Sequence, residues 1–290
     1  MSEEKERKKA LIELHLSIFI VGFSGLFGKL IELPATHLIF YRCVISALFL
    51  YFYLKKSGLF PQNRILPERE LKTIALTGVV LAAHWVTFFH SIIVSNVAIG
   101  VLTFSTFPLI IVFAEPFIKK AKLKISHLAL FAISFAGVFL LNYSDENKIH
   151  QEGIIVGLIS ALLFSAYVLL NKKLVAKTPA TKLTFYQTSV SSVILLPWIL
   201  SQPLMPSGSD LFYLLILAVV ITGIAQILFV GSMKKLSAFT ASISLTLESV
   251  YSIIFAFILL GEKPGPMILA GGLLIMISAL AVSLPSKKDA

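Results

Sequence analysis

Apolar positions along this chain run in long unbroken blocks. Leu211 to Met233 carries no charge over 23 positions, and Ile154 to Leu170 none over 17. Blocks near 20 residues are long enough to cross a bilayer core as helices. The alternating ten-residue segments of a spanning β-barrel are absent from the pattern. Ten spans are predicted, over 11–30, 37–54, 71–91, 94–118, 126–142, 153–171, 182–200, 210–233, 237–260 and 265–284. All should be helical, because backbone facing lipid must satisfy its own hydrogen bonds. The connections are short and carry turn formers such as Ser57-Gly58, Pro203 and Pro264. The longest hydrophilic stretch, Lys55 to Glu70, leaves no room for a further domain.

A pattern recurs inside these blocks. Pro34-Ala35-Thr36-His37-Leu38-Ile39-Phe40-Tyr41 returns 145 residues later as Pro179-Ala180-Thr181-Lys182-Leu183-Thr184-Phe185-Tyr186, with six of eight positions identical. The offset is half the chain, so residues 1–145 and 146–290 read as one five-span unit written twice. Five is odd, so the second copy enters the membrane from the opposite side. The expected fold class is an all-α membrane protein of ten transmembrane helices, arranged as two inverted five-helix repeats. That geometry supplies two pseudo-equivalent conformations, each open to one side, which is the basis of alternating access.

Composition agrees. The hydrophobic fraction is 57% with mean hydropathy +0.90, and 14% of residues are charged, against about 25% in soluble domains. The net charge of +10 lies in the loops between spans and not in one stripe, so nucleic acid is not an expected partner. Of the 25 Lys and Arg, 21 fall at one side of the ten-span map and only Lys148 and Lys263 at the other. By the positive-inside rule both termini face the cytoplasm, in a multi-pass inner- or plasma-membrane protein. The basic start precedes an apolar run without an A-x-A-like cleavage site, and reads as an uncleaved first span. Cys43, the single cysteine, cannot form an intramolecular disulfide.

Charges inside the blocks are the first candidates for chemistry. Glu248, near the middle of the ninth span, costs about 3 kcal/mol on insertion scales. That cost falls if the carboxylate is protonated or paired, which suits a proton-coupling role or a permanent helix-locking ion pair. Arg42 lies about one and a half turns into the second span, and its counterpart in the repeat is Gln187. Lys29 ends the first span; it is placed either to attract an anionic group, with Arg42, or to snorkel to the interface. His84 and Trp85 in the third span and Tyr167 in the sixth could face a cavity or simply pack. His90, six residues from His84, points about 240° away, so the two form no helical metal pair, and no H-E-x-x-H or Cys pair is present. Glu115 and Glu13 read as interfacial, with Lys119 in reach of Glu115 at i+4. Gly22, Gly25 and Gly28 allow close helix approach, and Pro108 predicts a kink.

Together, these residues resemble the drug/metabolite transporter superfamily, EamA type. The resemblance rests on Gly25-Leu26-Phe27-Gly28-Lys29, Pro34 and Tyr41-Arg42 in the first half, and on Leu247-Glu248-Ser249-Val250, Leu259-Leu260-Gly261-Glu262-Lys263 and Gly271-Gly272-Leu273-Leu274-Ile275 in the second. Ser249 stands where that family usually has Pro, and the G-E pair is missing from the first half. The resemblance implies a carrier, often an exporter of amino acids, metabolites or drugs, using an ion gradient. The expected function is thus secondary-active transport of a small metabolite, amino-acid-like solute or drug, with substrate contacts from Arg42, Lys29, His84, Trp85, Tyr167 and Gln187 and proton coupling at Glu248. No cofactor or metal is expected, and lipid and a small-molecule substrate are the expected partners; a homodimer stays open. The alternatives are a channel, a non-transporting sensor, or an intramembrane enzyme. The last lacks paired carboxylates or a nucleophile–base pair, and no G-x-x-x-x-G-K-[ST] is present for direct ATP hydrolysis.

Overall fold

The structure, a computed structural model, describes residues 3–59, 68–119, 125–141 and 147–281. Within these, the side chains of 115–119, 125–127, 147–149 and 279 are not described. The expected pairing of Glu115 with Lys119, and the role of Lys148, therefore lie outside the described residues.

Every regular element among the described residues is helical. In order they are α1 (Glu3–Val21), α2 (Ser24–Leu30), α3 (Ala35–Lys56), α4 (Glu68–Val94), α5 (Val97–Phe104), α6 (Phe107–Lys119), α7 (Ile125–Leu141), α8 (Asn147–Leu174), α9 (Ala180–Ser201), α10 (Gly208–Ile216), α11 (Gln226–Ser232), α12 (Ala238–Leu245), α13 (Leu247–Phe255) and α14 (Pro266–Ala281). Two π-helical turns, Leu217–Ala225 and Ala256–Leu260, continue α10 and α13. Eight helical stretches among the described residues are long and apolar enough to cross a membrane. They are Glu3–Leu30, Ala35–Lys56, Glu68–Val94, Val97–Ala114, His150–Leu174, Ala180–Ser201, Gly208–Ser232 and Ala238–Leu260. Shorter apolar helices, Leu128–Leu141 and Pro266–Ser278, fall where the fifth and tenth spans are expected.

The recurring octapeptide builds the same element twice. Pro34 (φ −55°, ψ 145°) starts α3 and Pro179 (φ −55°, ψ 139°) starts α9, and both helices run 22 residues. Their extended backbone feeds a helix without a side-chain cap. Other helices start on ordinary caps. Asn96 accepts from the Ile99 N–H, Ser237 accepts from the Thr240 N–H, and Ser207 with Asp210 forms a capping box. Gly261, at φ +70°, ends the second π-helical turn in the left-handed region that favours glycine.

Several expected continuous spans are broken. The first breaks at Gly22-Phe23, the fourth at Ser105-Thr106 and the ninth at Thr246. Hydroxyls near the last two breaks bond back to preceding carbonyls: Ser105 to Val101, Thr106 to Thr103 and Thr246 to Ile243. Such bonds compete with the helical ladder and bend it. Pro108, where a kink is expected, sits just inside the restarted α6, a position that needs no N–H.

Packing follows a reciprocal scheme. α3 lies against α9, and α7 against α14. At the second of these contacts a Cβ on Gly137 would stand 2.7 Å from the Gly271 carbonyl oxygen, and one on Gly271 2.6 Å from that of Gly137. α4 packs on α8 while α11 packs on α1; α4 packs on α9 while the first π-helical turn packs on α3. Both ends of the bundle are tied by polar contacts. At one end, His37 Nε2 meets the Gln202 carbonyl at 2.7 Å, Tyr41 donates to the Leu204 carbonyl at 2.8 Å, and the Glu32 N–H donates to Asp210 at 2.8 Å. At the other end, Lys177 pairs with Glu70 at 3.2 Å and Lys235 with Glu6.

Candidate functional site

Between these ends lies a cavity lined by Val21, Ser24, Arg42, His84, Trp85 and Phe88, and further by Phe104, Phe164, Ile221, Gln226, Phe229, Leu245 and Glu248. The lining comes from α1 to α5 and from α8, α11, α12, α13 and the first π-helical turn. Space for water centres is about 40 Å³, enough for roughly three waters and far below the 300 Å³ or more of a typical organic-ligand site. The cavity is narrow in this conformation.

Arg42 is 2% exposed. Its Nε donates to Thr222 Oγ1 at 2.5 Å, and its Cζ lies 4.1 Å from the Trp85 ring centroid and 5.6 Å from that of Phe89. Both rings offer the guanidinium a cation–π face. Its Nη1 is buried without a hydrogen-bond partner. Thr222 sits in the π-helical turn, and its own hydroxyl donates to the Leu217 carbonyl at 3.0 Å. Glu248, 3% exposed, occupies the first turn of α13 just beyond the break at Thr246. It lines the same cavity as Arg42, and no ion pair joins the two among the described residues. The next residue, Ser249, donates to the Val101 carbonyl at 2.9 Å and also contacts the Ser105 hydroxyl. A Pro at that position could not make this tie between α13 and α5.

His84 meets Ser160 Oγ at 2.8 Å through Nδ1 and stands among Phe88, Phe104 and Phe164. It and Trp85 line the cavity. Tyr167 and Gln187 do not; they lie behind it in a polar chain. Gln226 Nε2 donates to the Tyr167 hydroxyl at 2.6 Å, which donates to Gln187 Oε1 at 3.2 Å. Gln187 Nε2 donates to Thr77 Oγ1 and Asn171 Oδ1, both at 2.9 Å. Lys29 is turned away from the cavity. Its ammonium donates to the carbonyls of Ser95 at 2.8 Å and Ile93 at 3.3 Å, at the end of α4, a favourable place for a cation. His90 is exposed and meets Glu152 at 2.7 Å. The structure thus brings Arg42, His84, Trp85 and Glu248 together and leaves Lys29, Tyr167 and Gln187 outside the lining.

Sequence reasoning passed over Thr222 and Gln226. The available signal was two polar side chains at i, i+4 inside a 23-residue uncharged block, hence on one helix face. No group of three or more His, Cys, Asp or Glu suited to a metal occurs among the described residues.

Comparison with known proteins finds the chain similar to transporters. The chain is 26% identical over 285 residues to "Uncharacterized transporter YxxF" of Bacillus subtilis, covering 97% of this chain and 91% of that one. It is 20% identical over 255 residues to the "Pseudopaline exporter CntI" of Pseudomonas aeruginosa, covering 88% of each. It is 23% identical over 252 residues to the "S-adenosylmethionine uptake transporter" of Rickettsia felis, covering 86% of this chain and 83% of that one. A solved structure superposes with a TM-score of 0.72 at 17% identity, over 96% of this chain and 97% of the other, and so shares the fold. The model of the EamA-like transporter family matches twice, at residues 8–143 and 151–284. The chain is a multi-pass membrane protein and belongs to the EamA-like transporter family.

Proposed function

We propose that this chain is a ten-span secondary-active carrier, built from inverted repeats over 1–145 and 146–290, that exports a small amino-acid-like metabolite by alternating access. Both termini face the cytoplasm from the inner or plasma membrane. The double match of the family model, the equal length and start of α3 and α9, and the reciprocal packing of α4 on α8 and α11 on α1 support the repeat. The observation that carries the function is the buried, unpartnered Nη1 of Arg42, a residue that lines the same cavity as Glu248. A buried guanidinium donor left unmade is costly, and a carboxylate group of a substrate would satisfy it. Glu248 faces the same space and takes either a substrate ammonium or a proton. The rings of Trp85, Phe88, Phe104 and Phe164 supply the apolar wall. Direction differs between relatives, one of which is named an exporter and another an uptake transporter.

In proteoliposomes, a pH gradient should drive saturable accumulation of labelled amino acids, with counterflow, which a channel would not give. Glu248→Gln should abolish the response to the gradient while keeping counterflow. Full gradient-driven transport by that variant would sink the coupling role.

A further inference from the structure

The contact between Arg42 and Thr222 has a twin. Moved by the 145-residue offset, Arg42 becomes Gln187 and Thr222 becomes Thr77, and Gln187 indeed donates to Thr77 at 2.9 Å. In each case a side chain of one half reaches a threonine hydroxyl of the other. The outcomes differ. The Gln187 amide is used up within the protein, donating to Thr77 and Asn171 and accepting from Tyr167. Arg42 retains a free donor.

We infer that Thr222 is a positioning residue for ligand binding: by accepting from Arg42 Nε it fixes the plane of the guanidinium over Trp85 and so sets where the buried, unpartnered Nη1 meets an incoming anionic group. A guanidinium is a rigid planar fork, so fixing Nε fixes the aim of every other donor. The threonine is itself fixed, because its hydroxyl proton is committed to the Leu217 carbonyl in the π-helical turn. Its lone pairs therefore face Arg42. The recognised group is a carboxylate or a similar small anion, bound on one side of the pseudo-symmetry axis only. Thr77 and Gln187 form the silent side, since no free donor remains there.

This inference rests on Arg42 being an anion site, and the test separates the two. The chain has two tryptophans. Trp198 is half exposed on α9, so Trp198→Phe leaves Trp85, beneath the guanidinium, as the sole reporter. Acetate should change its fluorescence saturably, and ethylammonium added as chloride at matched ionic strength should not reproduce the change. Arg42→Gln should abolish the response. Thr222→Val should weaken acetate binding by about tenfold or more, the loss expected for one hydrogen bond to a charged group, whereas Thr222→Ser and Thr77→Val should stay within about threefold of the parent. If no saturable response exists, or Arg42→Gln keeps it, the anion-site reading falls and this inference falls with it. If Arg42→Gln abolishes binding while Thr222→Val matches the parent, or Thr77→Val weakens it equally, only the positioning role is overturned.

Discussion

A guanidinium buried within a spanning bundle costs about 3 kcal/mol on insertion scales. Arg42 offsets part of this with Thr222 and two aromatic faces and leaves one buried nitrogen without a partner. Lys carries the same charge but lacks the fork and the stacking plane. Arg42→Lys should therefore raise the KM for amino-acid counterflow at least tenfold at unchanged membrane abundance; an unaltered KM would show that charge alone suffices. Arg42 and Glu248 were legible as residues that line one cavity, because a charge inside an apolar block has few structural excuses. Lys29 was not, since sequence does not reveal which way a four-carbon stem bends, and its carbonyl partners belong to another helix. Thr222 stayed hidden for a different reason: neutral hydroxyls are common in membrane helices, and its contact with Arg42 joins residues 180 positions apart.

At the level of elements, span positions follow from the apolar blocks, whereas the breaks at Ser105-Thr106 and Thr246 do not, because hydropathy is continuous across them. The breaks depend on which hydroxyls turn back to their own carbonyls. The start of α5 shows a related case. Glu262 Oε2 accepts from the Val97 N–H at 3.0 Å, an N-terminal cap delivered from the far half of the chain. Glu262 lies beyond the end of the ninth span. Burial pushes its carboxyl above the ordinary range, against the smaller pulls of the Val97 N–H and of Lys29. A raised folded-state pKa means the native form holds the proton more tightly than the unfolded one. Stability therefore declines as pH rises from the ordinary carboxylate range through the raised value. Thermal unfolding in detergent should show that decline in the parent, and Glu262→Gln should flatten it. A parallel pH curve for the variant would exclude this carboxyl as the cause.

At the level of the whole molecule, the octapeptide and the Lys/Arg asymmetry are the sequence signals behind the proposed two-unit plan, and the family model matches twice, at 8–143 and 151–284. The polar ties at the two ends of the bundle were not legible, because His37 with Gln202 and Lys177 with Glu70 join residues more than 100 positions apart. Orientation has a direct check. Tags at the first and last residues should both be protected in intact cells and both become reactive on permeabilisation, and tags reporting opposite sides would break the inverted plan.

The interior space of about 40 Å³ carries one more consequence. A solute of amino-acid size cannot slip into a pre-formed chamber here; it must wedge the helices apart as it enters. Loading is then an expansion of the protein, and hydrostatic pressure, which favours whichever state occupies less total volume with its solvent, becomes a handle on the empty and filled forms that leaves every side chain untouched.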